Sequence, residues 1–190
     1  MGGQWGAWPR RVAIAVLLLA IVAVLSACDF TTLTPARWGC GTHKYVINPA
    51  RAPQGGVAAV HEAFRQLNEA SAGRVRWTYA GTTTGNTART DVVVVAWRPQ
   101  YEVPQIMRPG AWAASAPQPW PNDVKWTGGA VFIDPRYATD LGVVLHELGH
   151  IAWLGHVPDP KQVMYPNPRG KTHYMPGDAV GLLTMAMQCK

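Results

Sequence analysis

The chain has 190 residues, 48% of them hydrophobic and 15% charged, with a formal charge of +6. That length and apolar content fit one domain with a sizeable core and exclude a chain too polar to collapse. The basic residues are dispersed and no element gathers them, so nucleic acid is not an expected partner.

Arg10-Arg11 precede an apolar run of fourteen residues, Val12 to Leu25. Such a run suits the core of a signal peptide and falls short of the roughly 20 residues that span a bilayer. It ends in Leu25-Ser26-Ala27-Cys28, which resembles the bacterial lipobox, where the cysteine thiol is acylated and the peptide is cut just before it. Residues 1–27 are therefore expected to be a lipoprotein signal peptide. Residues 28–38 are read as the lipidated Cys28 and a tether, Thr31 to Arg37 included, and residues 39–190 as the folded domain. The expected location is extracytoplasmic, on the bacterial cell membrane through the acyl chains of Cys28, with secretion as the alternative. Once Cys28 is modified, Cys40 and Cys189 remain, and outside the cytoplasm a pair left over is most simply a disulfide.

Tyr45-Val46-Ile47 reads as a first strand, ended by Asn48-Pro49. Val57, Val60, Phe64 and Leu67 recur at helical spacing, which predicts an amphipathic helix from Val57 to Ala70, closed by Gly73. His61-Glu62 within it has Arg65, not a second histidine, four positions after His61, and reads as solvated surface. Arg74 to Tyr79 alternates as a strand should. Asp91 to Trp97 is a continuous β-branched run, as expected of a strand buried on both faces. From Arg98 to Trp126 proline and tryptophan dominate, predicting an irregular loop packed over the sheet. Thr127 to Asp134 then reads as a strand that enters from a glycine turn and leaves at Pro135.

Three of the six histidines follow within eleven residues, in His146-Glu147-Leu148-Gly149-His150-Ile151-Ala152-Trp153-Leu154-Gly155-His156. Residues four apart share a helix face about 6 Å apart, so His146 and His150 can aim at one metal while Glu147 sits beside it, free to reach a bound water. Six further residues of helix would carry His156 about 9 Å along the axis and roughly 120° around, so the helix must stop before it. Three histidines leave a fourth tetrahedral position open, the mark of a catalytic zinc rather than a closed structural one. Asp159 is a conceivable third ligand in place of His156; no glutamate follows Glu147, and the only other later acid, Asp178, reads as the cap of a last helix.

This segment resembles the long motif of the metzincin clan of zinc endopeptidases, H-E-x-x-H-x-x-G-x-x-H, with one departure: Trp153 stands at the glycine position, and Gly155 comes two residues later. A tryptophan in the left-handed region costs about 1 to 2 kcal/mol, so Trp153 is expected to stay helical and Gly155 to make the turn. Val163-Met164-Tyr165-Pro166 resembles the methionine turn that lies beneath the zinc histidines, in a form closest to the matrixin branch. Pro166 stands where other branches carry a tyrosine that can approach the metal, and Tyr165 is not assigned as a ligand.

The resemblance implies an α+β fold: a twisted mixed β-sheet with two packed helices, one carrying the zinc motif, then a small C-terminal subdomain with Met164 in its turn and a final helix. It implies one catalytic Zn2+ on His146, His150 and His156, with Glu147 as general base of a zinc-dependent endopeptidase acting, as a monomer, on peptide or protein substrates. In the family the strand before the zinc helix is a free edge that pairs with substrate. This places Gly129, Ala130, Val131 and Phe132 on the upper rim, with Tyr165 and Pro166 as a wall of the primed-side pocket. Matrixins also hold structural zinc and calcium near the Arg98 to Trp126 stretch, but it has no histidine and only Glu102 and Asp123 as acids, so neither ion is expected there. A latency thiolate on Cys40 is the alternative to the disulfide, though the matrixin propeptide signature is missing. The alternative function is a catalytically inactive surface lipoprotein of the same fold, serving as a binding module.

Overall fold

A computed structural model of the chain describes residues 30–33, 38–104, 107–108, 110–119, 126–137 and 139–189, the side chains of Gln118 and Pro119 excepted. The expected signal peptide, Cys28 and part of the tether lie outside the described residues. The ordered elements are β1 (Thr31–Thr32), β2 (Gly41–Asn48), α1 (Gly56–Ala70), β3 (Val75–Thr82), β4 (Val93–Trp97), β5 (Ala113–Pro119), β6 (Trp126–Ile133), α2 (Leu141–Ile151), β7 (Leu154–Gly155) and α3 (Pro176–Met187). The fold is mixed α+β, as expected.

Five strands form one sheet in the order β3-β2-β4-β6-β5. All neighbours are parallel except β5, which runs antiparallel to β6. Every residue of β4 is buried, as its unbroken run of branched and aromatic residues predicts. Val93, Val95 and Trp97 turn toward the main core, where Val60, Phe64 and Leu67 of α1 and Val144, Leu145, Leu148 and Ile151 of α2 meet them. Val94 and Ala96 turn the other way and are covered with Val103 and Met107 from the long loop. That loop does pack over the sheet, and its buried side chains each add about 1.5–3 kcal/mol of apolar burial.

Two expectations fail here. The strand before the zinc helix is not a free edge: β6 pairs with β4 on one side and β5 on the other, and Gly129, Ala130, Val131 and Phe132 are all buried. The edge is β5, drawn from the stretch read as irregular. Its sequence, Ala113-Ala114-Ser115-Ala116-Pro117-Gln118-Pro119, has none of the usual strand formers, and two prolines are tolerated because an edge strand leaves alternate N–H positions unpaired. The second failure concerns the tether. Thr31 and Thr32 pair antiparallel with Gly155 and Leu154, so the chain is already part of the folded body at Thr31.

Cys40, just before β2, is disulfide-bonded to Cys189, just after α3. The bond closes a loop spanning 149 positions and ties the C-terminal helix back to the first large strand. Chain-entropy arguments value such a closure at about 4–5 kcal/mol. A sulfur committed to this bond has no thiolate to offer a metal, so the latency reading of Cys40 does not hold.

Candidate active site

Helix α2 begins where Asp140 accepts a hydrogen bond from Gly142 N at 3.1 Å and ends at Ile151, before the third histidine. His146, Glu147 and His150 therefore share one helical face, of which His146 and Glu147 are buried and His150 half-buried. His156 comes from the loop beyond and is exposed. The three ring Nε2 atoms converge: 3.1 Å from His146 to His150, 3.1 Å from His146 to His156 and 3.2 Å from His150 to His156.

The other ring nitrogens explain why this convergence suits a cation. His146 Nδ1 donates to Val163 O at 2.8 Å and His150 Nδ1 donates to Leu154 O at 2.7 Å. A carbonyl can only accept, so both Nδ1 atoms carry the proton and both Nε2 atoms present lone pairs. Protonation would not relieve the crowding, because burial first, and the neighbouring imidazole second, hold His146 down at about 3; burial holds His150 at about 4 and pulls His156 below its ordinary value. The lone pairs of His146 and His150 face each other at 3.1 Å and repel, and a metal would turn that repulsion into bonds, with His156 Nε2 as the third donor. Tetrahedral zinc with bonds of about 2.0–2.1 Å sets its nitrogens about 3.3–3.4 Å apart, close to what is observed. The residues present fit the ion. Asp159, the alternative ligand, is not in the group and accepts instead from Lys161 N at 2.9 Å.

The loop between the second and third histidines is built otherwise than expected. Trp153 leaves the helix and takes φ 91°, while Gly155 stays out of the left-handed region and lies in β7. The backbone reversal thus occurs at the position of the motif's glycine even though a tryptophan occupies it. Strain of about 1–2 kcal/mol is outweighed by the burial of the indole, since truncating large buried aromatics costs about 3–5 kcal/mol. Trp153 is 1% exposed, its ring 5.7 Å from that of Trp126, and Trp38 Nε1 donates to Ile151 O at 2.6 Å beside it.

Below the histidines, Met164 is buried with its sulfur against the backbone of Gly149, in the space that a Cβ on residue 149 would take. Met164 thus packs against the helix that carries His146 and His150. Asp178 holds it from behind: its carboxylate accepts from Val163 N at 2.8 Å, Met164 N at 3.1 Å and Met175 N at 3.0 Å. The expected capping of α3 is thus performed, from the third residue of the helix, together with a second task that the sequence does not announce. Through Val163 the link continues to His146 Nδ1. Burial raises the Asp178 pKa and outweighs the three amide donors that lower it.

Glu147 stands next to the ligands, with Oε2 buried and without a partner among the described residues. Burial raises its pKa to about 7 against the opposing hydrogen bond from Ser115, a residue of the edge strand β5. The cleft in front has a volume of about 410 Å³ and is lined by the three histidines, Glu147, Ala111, Ala113, Ala114, Ser115 and Arg108. Neither Gly129 to Phe132 nor Tyr165 and Pro166 belong to this lining; the first four are interior, Tyr165 is half-buried and Pro166 is exposed. Sequence reasoning missed Ser115 and Arg108 because they sit in a stretch without strand or helix periodicity.

No protein-family model matches the chain, and no curated protein matches it. Among solved structures it is similar to high choriolytic enzyme 1, a hatching enzyme zinc-protease from the medaka fish Oryzias latipes, at 15% identity over 87% of this chain and 96% of that one, with a TM-score of 0.46.

Proposed function

We propose that the chain is a zinc-dependent endopeptidase of metzincin type, anchored outside the cytoplasm through acyl chains on Cys28 and acting as a monomer on peptide or protein substrates. The observation that supports it most is the convergence of three neutral Nε2 atoms at 3.1–3.2 Å beside a buried carboxylate with a free oxygen. His146, His150 and His156 would hold the zinc, which supplies Lewis acidity toward water and a scissile carbonyl. Glu147, which lines the cleft beside the three histidines, accepts the proton of the attacking water and returns it to the leaving amine. Ser115 holds the carboxylate from the opposite wall and keeps it oriented during the exchange. An extended substrate backbone adds to the exposed edge of β5, along Ala113, Ala114 and Ser115, in the role first expected of β6.

The test is zinc stoichiometry of the purified protein together with cleavage of a denatured generic protein, before and after chelation. One equivalent of zinc and cleavage that chelator abolishes and zinc restores are expected. Stoichiometric zinc without cleavage of a broad peptide library would favour the binding-module alternative, and absence of bound zinc would overturn both the ligand set and the mechanism.

A further inference from the structure

The first described residues are spent on the loop that carries the third histidine. Thr31 pairs with Gly155 and Thr32 with Leu154, antiparallel. Leu33 N donates to Trp153 O at 3.0 Å, and the Thr31 hydroxyl donates to the carbonyl of His156 at 2.7 Å. Phe30 packs against α3 at Gly181, which fixes the near end of the segment to the core. Gly155 has to be glycine for this seating, because a Cβ there would collide with the Thr31 hydroxyl.

The loop needs such support. His146 and His150 are set by helix geometry and by surrounding core, whereas His156 is exposed and lies three residues beyond Trp153, which is at φ 91°. Strained backbone persists only where its surroundings over-determine it. Of the loop carbonyls, Leu154 O is engaged by His150, but Trp153 O and His156 O are both engaged by the N-terminal segment. The strained residue and the third ligand are thus each tied by one hydrogen bond to residues more than a hundred positions earlier.

We infer that Phe30 to Leu33 is a positioning strap for the metal site: Thr31 and Leu33 hold His156 where its Nε2 meets those of the helix, so that zinc affinity depends on the N-terminal segment of the folded chain. The inference rests on the zinc reading above and adds to it a determinant outside the H-E-x-x-H segment. Outer partners that orient a metal's ligands typically contribute 10- to 100-fold to its affinity.

The experiment measures zinc affinity of the full-length chain against a chelating indicator for the parent, Thr31→Val, Thr31→Ser and Leu33→Pro, with apo-protein melting followed in parallel. Thr31→Val deletes the hydroxyl at nearly constant shape, and Leu33→Pro deletes the N–H aimed at Trp153. Each is expected to weaken zinc binding about tenfold, with apo melting close to the parent's, and Thr31→Ser is expected to restore affinity to within about threefold. The visible spectrum of the cobalt-substituted protein should change in Thr31→Val and return in Thr31→Ser. Parent-like zinc affinity in Thr31→Val, or a Thr31→Ser variant as weak as Thr31→Val, overturns the strap. If Leu33→Pro does not fold, the valine and serine pair still decides. A parent that binds no zinc at all refutes the zinc reading instead, so the two failures are told apart.

Discussion

The two halves of the metal site are held by different physics. On α2, His146 and Glu147 are buried and His150 half-buried, and the two histidines have their proton positions set by short hydrogen bonds to Val163 O and Leu154 O. On the following loop, His156 is exposed, preceded by a tryptophan in the left-handed region and fastened from outside by Thr31 and Leu33. The difference teaches that a helix brings two ligands and a base to one side by periodicity, leaving only the ring orientations to be set by acceptors outside it. A ligand beyond the helix needs partners supplied from far away in the chain, at the cost of local strain.

The largest effect is expected on the helical half. Glu147→Gln should retain one equivalent of zinc and lower kcat about 10²- to 10⁴-fold, the usual contribution of a general base; a variant that turns over like the parent removes Glu147 from the mechanism. The support behind that half comes next. Asp178→Ala strips the acceptor from three amides at Val163, Met164 and Met175, and with buried unpaired donors costing about 1–3 kcal/mol each, chemical denaturation should show a loss of about 3 kcal/mol or more.

Trp153→Gly probes the loop half, because it relieves backbone strain of about 1–2 kcal/mol while deleting an indole whose loss costs about 3–5 kcal/mol. A net destabilisation of about 1–4 kcal/mol is expected in urea unfolding, and a gain in stability would mean that strain, not burial, dominates at this position. The finest contrast lies between the ligands themselves, compared without metal. His146→Ala leaves Val163 O buried and unpaired and should lower apo stability by about 1–3 kcal/mol, whereas His156→Ala, at an exposed position, should change it by less than about 0.5 kcal/mol. Equal losses in the two apo variants would erase the distinction between a core-held and an externally held ligand.

Much of this arrangement is legible in the sequence where residues a few positions apart decide the outcome. The spacing of Val60, Phe64 and Leu67 commits α1 to one buried face, the branched run Val93 to Trp97 commits β4 to the interior, and the four-residue step from His146 to His150 puts both rings on one side of α2. Such patterns are short-range consequences of helix and strand periodicity, so they survive without knowledge of neighbours. The pairing of Cys40 with Cys189 is readable for another reason, since with Cys28 set aside the chain holds no third thiol.

Tertiary structure alone decided the rest. Ala113 to Pro119 has no strand propensity of its own and becomes the edge because β6 offers an unpaired row of backbone groups. Trp153 leaves the helix because an aromatic pocket outweighs its backbone strain, which a rule about glycine and local conformation cannot anticipate. Thr31 to Leu33 looks like a polar tether until Gly155 and His156 lie beside it, and Asp178 looks like a simple helix cap until Val163 and Met164 also donate to its carboxylate. In each case the governing free energy comes from contacts between segments distant in the chain, and only the folded molecule brings them together.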